Sequence, residues 1–180
     1  MTPSDDLTKI RVRTELGDFL LGIDELNAPI TAANFLAYVD GSHLTNSSAY
    51  RIVTLANQPS DTAHKIEVIQ WGWRASEEAP EQPFPSIPHE PTSRTTLRHV
   101  DGTLSMARRA PGTAGPGFFI CIGDQPELDE GGRRNPDGAG FAAFGRLLDG
   151  AETIRRIFGR AEDVEYLATP VGILTVEREA

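Results

Sequence analysis

The sequence predicts a mainly β domain that closes into a barrel with a helix over each open end. Three observations carry this. About eight short stretches have strand-like patterning bounded by Gly, Pro, Asn and Asp, and only two have helical spacing. The chain has 180 residues, 39% of them hydrophobic, which suits one domain (residues 1–180, core about 9–178) around a single interior. So many short strands leave exposed edges unless the sheet closes, and two amphipathic helices suit the ends of a closed barrel.

Residues 9–16 alternate Ile10, Val12, Thr14 and Leu16 with charged neighbours, the period of a half-buried strand. Gly17-Asp18 reads as a hairpin turn, and residues 19–23 as the returning strand. Residues 29–39 are helical, with Pro29 early, Thr31 as cap and Ala32, Phe35, Leu36 and Val39 on one face. Gly41 is placed to end that helix in the left-handed conformation. Strands follow at 50–55 and 65–71. Residues 74–91 hold five prolines, which exclude helix and central strand and make this a surface loop. Strands at 102–107, 117–122 and 140–148 enclose a second long loop, 123–139. Residues 151–158 form the second helix, and 171–177 the closing strand. No internal repeat is visible.

Lys plus Arg number 17 against 26 Asp plus Glu, a net charge of −9 that disfavours nucleic acid and anionic membrane as partners. No run reaches the roughly 20 apolar residues of a membrane span. The first residues lack the basic and apolar regions of a secretory signal, so a cytoplasmic protein is expected, with a trimmed leader and a periplasmic location as the alternative. The single cysteine, Cys121, lies in an apolar run and is expected to pack as a small hydrophobe. Histidines 43, 64, 89 and 99 have no metal-ligand spacing, so no metal or other cofactor is expected and structural roles are expected for them.

Three blocks, in order, resemble the cyclophilin-type peptidyl-prolyl isomerase family, in its bacterial-type group. Residues 14–35 (TELGDFLLGIDELNAPITAANF) resemble its opening hairpin and helix. Residues 102–121 (GTLSMARRAPGTAGPGFFIC) resemble its central block and are the most specific match. Leu128-Asp129 with Phe144-Gly145-Arg146-Leu147 resembles the third. The resemblance implies a closed eight-stranded antiparallel β-barrel capped by two helices, with an outer groove that binds proline-containing peptides or unfolded proteins and isomerises X–Pro bonds. The chain departs from the family's pattern around the site. Ala49-Tyr50 stands where the family has Phe-His, Arg108 for Asn, Gly117 for Gln, Glu127 for Trp and Phe141 for His.

Prolyl isomerisation needs no nucleophile and no cofactor; it needs a fixed donor for the nitrogen that loses its resonance as the bond twists. By the motif, Arg51 is the catalytic donor and Gln70 the residue that orients it or the substrate backbone. Strand alternation places Arg51 on a face with Ala49, Val53 and Leu55. Phe119 is the floor of the proline pocket and Phe118 the core residue behind it; Leu128, Val68 and Phe141 are further walls. Ala107 and Arg108 line the peptide groove, where Arg108 would select acidic substrates. Glu67 either faces Arg51 or, one register away, faces solvent. Glu127 in the tryptophan position implies weak binding of cyclosporin-like ligands. A monomeric enzyme is the leading expectation, and a non-catalytic peptide-binding or chaperone module the alternative.

Overall fold

The computed structural model describes residues 2–180. Eight strands close into one antiparallel barrel in the order β1-β2-β7-β5-β6-β4-β3-β8. In chain order these are β1 (Thr8–Thr14), β2 (Gly17–Ile23), β3 (Ser48–Val53), β4 (Val68–Gly72), β5 (Thr103–Met106), β6 (Gly117–Cys121), β7 (Ala143–Asp149) and β8 (Tyr166–Arg178). Helix α1 (Pro29–Asp40) packs on β7 and β8, and α3 (Ala151–Phe158) packs on β2. The expected closed barrel is what forms. A third helix joins the two expected ones, the single turn α2 (Thr92–Thr95) at the end of the proline-rich loop.

The interior is filled by alternate residues of each strand, as Ile10 and Val12 of β1 face Leu21 and Phe19 of β2 across the register. Trp71, Phe35, Phe118 and Phe144 form an aromatic centre, with Phe35 and Phe118 edge-on at 4.9 Å. Burying rings of this size against one another supplies much of the driving force for closure.

Four local expectations are corrected. The hairpin turn is Glu15-Leu16, two residues before Gly17-Asp18, because Thr14 pairs with Gly17 and its hydroxyl holds the turn by donating to the Gly17 carbonyl at 2.7 Å. Gly41 has φ −80°, and the left-handed residue is Ser42 at 57°. Thr31 does not cap α1. The buried carboxylate of Glu90 does so from the proline-rich loop, accepting from the Thr31 N–H and hydroxyl at 2.6 Å each. That loop is pinned, since Phe84 also packs edge-on against Tyr38 at 5.0 Å and Ile87 bridges to Ala114. Finally β8 begins five residues before the expected 171, which brings Tyr166 and Glu165 beside β3.

Candidate active site

One row of cross-strand partners organises the outer face. Arg51 of β3 pairs with Gln70 of β4, Gln70 with Phe119 of β6, and Phe119 with Ser105 of β5. Directly opposed residues project to the same side of a sheet, so these four side chains leave the barrel together. A groove of about 600 Å³ lies over the row.

A bulge in β3 shapes one wall. Ala49 pairs with Trp71 and Arg51 with Gln70, which leaves Tyr50 as the extra residue. Tyr50 and Arg51 therefore both line the groove, while Ala49 points into the core. The expected shared face of Ala49, Arg51, Val53 and Leu55 is broken at this point. Val53 does join the apolar cluster beneath the groove, but Leu55 is exposed on a turn.

Hydrogen bonds run along this wall. Arg51 Nη1 donates to Gln70 Oε1 at 2.9 Å, and Gln70 Nε2 donates to the Tyr50 hydroxyl at 3.0 Å. Arg51 Nη2 donates to Glu165 Oε1 at 3.2 Å, and its guanidinium carbon lies 5.4 Å from the Tyr166 ring centre. The Nε hydrogen of Arg51 has no partner, so a charged, fixed guanidinium retains donors. Burial pushes the Tyr50 phenol pKa up, against the hydrogen bond from Gln70, and the hydroxyl stays protonated. Gly117 matters here for space: a Cβ at that position would stand 3.2 Å from the Tyr50 oxygen.

The floor is apolar. Phe119, Val68, Leu128, Ile66, Val53 and Cys121 form one buried cluster with Phe141 and Ala107 packed against it. Phe118 points inward to the aromatic core, as strand alternation requires. Phe141 meets Phe119 edge-on at 5.7 Å, and His99 stacks on Phe119 at 6.0 Å with planes 17° apart. Burial raises the pKa of the Cys121 thiol, which packs as a small hydrophobe.

Behind the floor lies a constellation that the spacing of the sequence did not reveal. His99 Nδ1 is 2.8 Å from Asp129 Oδ1, and its Nε2 is 2.8 Å from Ser105 Oγ. An ionised carboxylate only accepts, so Nδ1 carries a proton, and in the neutral ring Nε2 is then the acceptor for the serine hydroxyl. Burial of Asp129 is outweighed by hydrogen bonds from the His99 ring and backbone, and its pKa lies below the usual value. This is not a hydrolytic triad, because Ser105 is completely buried beneath Phe119. It holds the ring that supports the floor.

Arg108 is corrected. It lines the groove, but its guanidinium is nearly buried and fully engaged. It donates to both Asp137 oxygens at 2.9 and 3.1 Å, to the Gly140 carbonyl at 2.9 Å from Nε, and lies 4.8 Å over the Phe141 ring. It is a strut between the groove wall and the 123–139 loop, with little left to read a substrate. Glu67 has the parity of Ile69 and Trp71 and does not line the groove; the acid beside Arg51 is Glu165. Glu127 also lies outside the groove lining, held by Arg133 at 3.0 Å.

Several groove residues escaped the sequence. Tyr166 comes from the early start of β8, Arg74 from the proline-rich loop and Arg134 from the 123–139 loop, while Glu165, just before β8, stays outside the lining as the partner of Arg51. Arg134 donates to Gln58 Oε1 at 2.8 Å and to the His64 carbonyl at 3.1 Å; burial and the Arg51 charge lower its pKa. The three that line the groove share only being arginines or an aromatic.

Residues 9–178 match the model of a family described as cyclophilin type peptidyl-prolyl cis-trans isomerase/CLD. The chain is 29% identical to a peptidyl-prolyl cis-trans isomerase of Streptomyces antibioticus, over 85% of this chain and 84% of that one. It is 28% identical to peptidyl-prolyl cis-trans isomerase A of Dickeya dadantii, over 83% and 70%. A crystal structure of a cyclophilin type peptidyl-prolyl cis-trans isomerase of Cryptosporidium parvum matches with a TM-score of 0.73 at 20% identity, over 97% of this chain and 98% of that one. A second crystal structure of that protein, in the presence of the dipeptide Ala-Pro, matches equally well, with a TM-score of 0.73.

Proposed function

The chain belongs to the cyclophilin type peptidyl-prolyl cis-trans isomerase family and is an isomerase of X–Pro bonds, and we propose that the Arg51–Gln70–Phe119 row is where it performs that reaction. The observation that carries this reading is the row itself. A fixed cation with spare donors stands two strands from an apolar seat, with one glutamine between them.

Rotation about a peptide bond costs about 18–20 kcal/mol because it breaks resonance between nitrogen and carbonyl. As the bond twists, the proline nitrogen becomes pyramidal and recovers a lone pair. The proline ring rests on Phe119, walled by Val68, Leu128 and Phe141, which fixes one side of the bond. An unspent N–H of Arg51 then meets the lone pair, an interaction available only in the twisted state and therefore one that raises the rate. Gln70 and Glu165 hold the guanidinium in place before the substrate arrives, so little reorganisation is needed during the reaction. Extended proline-containing segments of unfolded chains are the substrates proposed.

Protease-coupled or NMR exchange measurements on X–Pro peptides test this. Arg51→Ala is expected to lose roughly a hundredfold in kcat/KM, the usual cost of removing one preorganised donor, with an unchanged circular dichroism spectrum. Undiminished turnover in Arg51→Ala would remove the proposed mechanism. Peptide binding by the unaltered protein with isomerisation no faster than the uncatalysed rate would restore the non-catalytic module.

A further inference from the structure

The molecule carries a net charge of −9, yet none of its 26 acidic residues lines the groove, whereas five arginines do. Two of the five are committed, Arg51 to Glu165 and Arg108 to Asp137. The other three, Arg74, Arg109 and Arg134, have no carboxylate within ion-pair distance among the described residues. This holds although Glu77, Glu78 and Glu81 follow Arg74 on the same loop.

Their placement surrounds the proline seat. Arg74 and Arg109 are exposed, one on the Tyr50 wall and one next to Arg108 on the opposite wall. Arg74 is held over the Tyr50 ring at 4.5 Å and lies 5.9 Å from Tyr166, so its guanidinium is positioned without being neutralised. Arg134 is half-buried with only neutral acceptors, Gln58 and His64. Burial and repulsion from Arg51 lower its pKa against a smaller opposing pull from Glu165, which makes no ion pair with it.

Resting on the isomerase reading of this groove, we infer that its preferred substrates are X–Pro segments with an anionic side chain, carboxylate or phosphate, within a few residues of the proline. The specificity-determining residues are Arg74, Arg109 and Arg134, not Arg108. A cationic groove in an acidic molecule repels acidic chains everywhere but at the site, so the surface charge sharpens orientation as well as affinity. An apolar proline seat at its centre makes a peptide the occupant in preference to a nucleic acid, which the overall charge opposes.

The test compares peptides that differ at one residue, Glu, phosphoserine, Ala or Lys, placed in turn at three positions on each side of the X–Pro bond. At low salt, kcat/KM at the best position should be about fivefold higher for Glu than for Ala, from one or two partly screened pairs. The gap should be at least as large for phosphoserine and reversed for Lys. It should shrink to within about twofold at ~0.5 M salt. In the double variant Arg74→Gln/Arg109→Gln, both exposed and tolerant of change, the Glu:Ala ratio should approach one. Arg160→Gln, an exposed arginine outside the groove, should leave the ratio as it is. Equal turnover of all four peptides at every position overturns the inference, as does a ratio unchanged in the double variant. Competition by a short single-stranded RNA with no discrimination among the peptides also overturns it. Failure to turn over any peptide would count against the isomerase reading instead. NMR titration with the same four peptides then still decides the charge preference.

Discussion

The two walls of the groove each present an arginine paired with an acid, and they use the same chemistry to opposite ends. On the β3–β4 wall, Arg51 gives one hydrogen to Gln70 and one to Glu165 and keeps the rest. On the loop wall, Arg108 spends its donors on Asp137, Gly140 and the Arg109 carbonyl, and covers Phe141. The side chain of Arg51 is 24% exposed and that of Arg108 1%. A guanidinium does chemistry when its geometry is fixed by fewer partners than it has donors; when every donor is used it becomes part of the scaffold.

The strongest test of that contrast is a double dissociation. Arg108→Ala strands Asp137 and the Gly140 carbonyl and removes the cover from Phe141. Asp137 keeps some access to water, so the loss should be about 2 kcal/mol of stability, below the ~3–5 kcal/mol typical of a fully buried pair. Its kcat should remain within about threefold of the parent, since the donor to the imide nitrogen is untouched. Arg51→Ala should show the converse, with stability within about 1 kcal/mol and activity lost, because its ion pair is partly solvated. Urea denaturation and peptide turnover measured on both variants settle the matter. Equal activity losses in the two variants would break the distinction.

A smaller effect isolates the bracing of Arg51. Glu165→Gln keeps an acceptor for Nη2 and removes the charge, so the guanidinium stays in place with a more positive field. Glu165→Ala frees one side of it. The expectation is a kcat close to the parent for the glutamine variant and about fivefold lower for the alanine variant, the cost of lost preorganisation in one of two braces. A larger loss in the glutamine variant than in the alanine variant would mean that the carboxylate does more than orient.

These residues also show what a sequence can and cannot reveal here. The barrel was legible because interior and exterior alternate along most strands, so Ile10, Val12, Phe118 and Ile120 announce their side by parity. Arg51, Gln70 and Phe119 were legible as a motif, and register then placed them in one row. Parity failed at Tyr50, because a bulge adds a residue without any mark in the composition. The partners of the two arginines were hidden for another reason. Glu165 lies 114 residues from Arg51 and Asp137 lies 29 from Arg108, and pairing over such separations depends on how β8 and the 123–139 loop return to the barrel. Arg108 looked like a substrate reader because it stands in the groove block, and only its neighbours show that it is occupied.

The smallest effect concerns the floor between the walls, and it is read against pH. Asp129 has a depressed pKa in the folded state, where hydrogen bonds from the His99 ring and backbone outweigh the opposing effect of burial. A group with a lowered folded pKa adds stability above its unfolded pKa and loses it as pH falls through the folded value. The contribution of Asp129 should therefore be complete at neutral pH and decline below about pH 4, near the ordinary range of an aspartate. Asp129→Asn keeps an acceptor for His99 but forfeits the charge-assisted part, so at pH 7 it should cost about 1–2 kcal/mol. The difference from the parent should narrow as pH falls below about 4, because the charge-dependent part of the parent's stability is lost there. His99 stacks directly on Phe119, so a loosened histidine should raise KM for X–Pro peptides and leave kcat near the parent value. A fall in kcat with KM unchanged would place Asp129 with Arg51 in the reaction itself, and the floor would no longer be a passive seat.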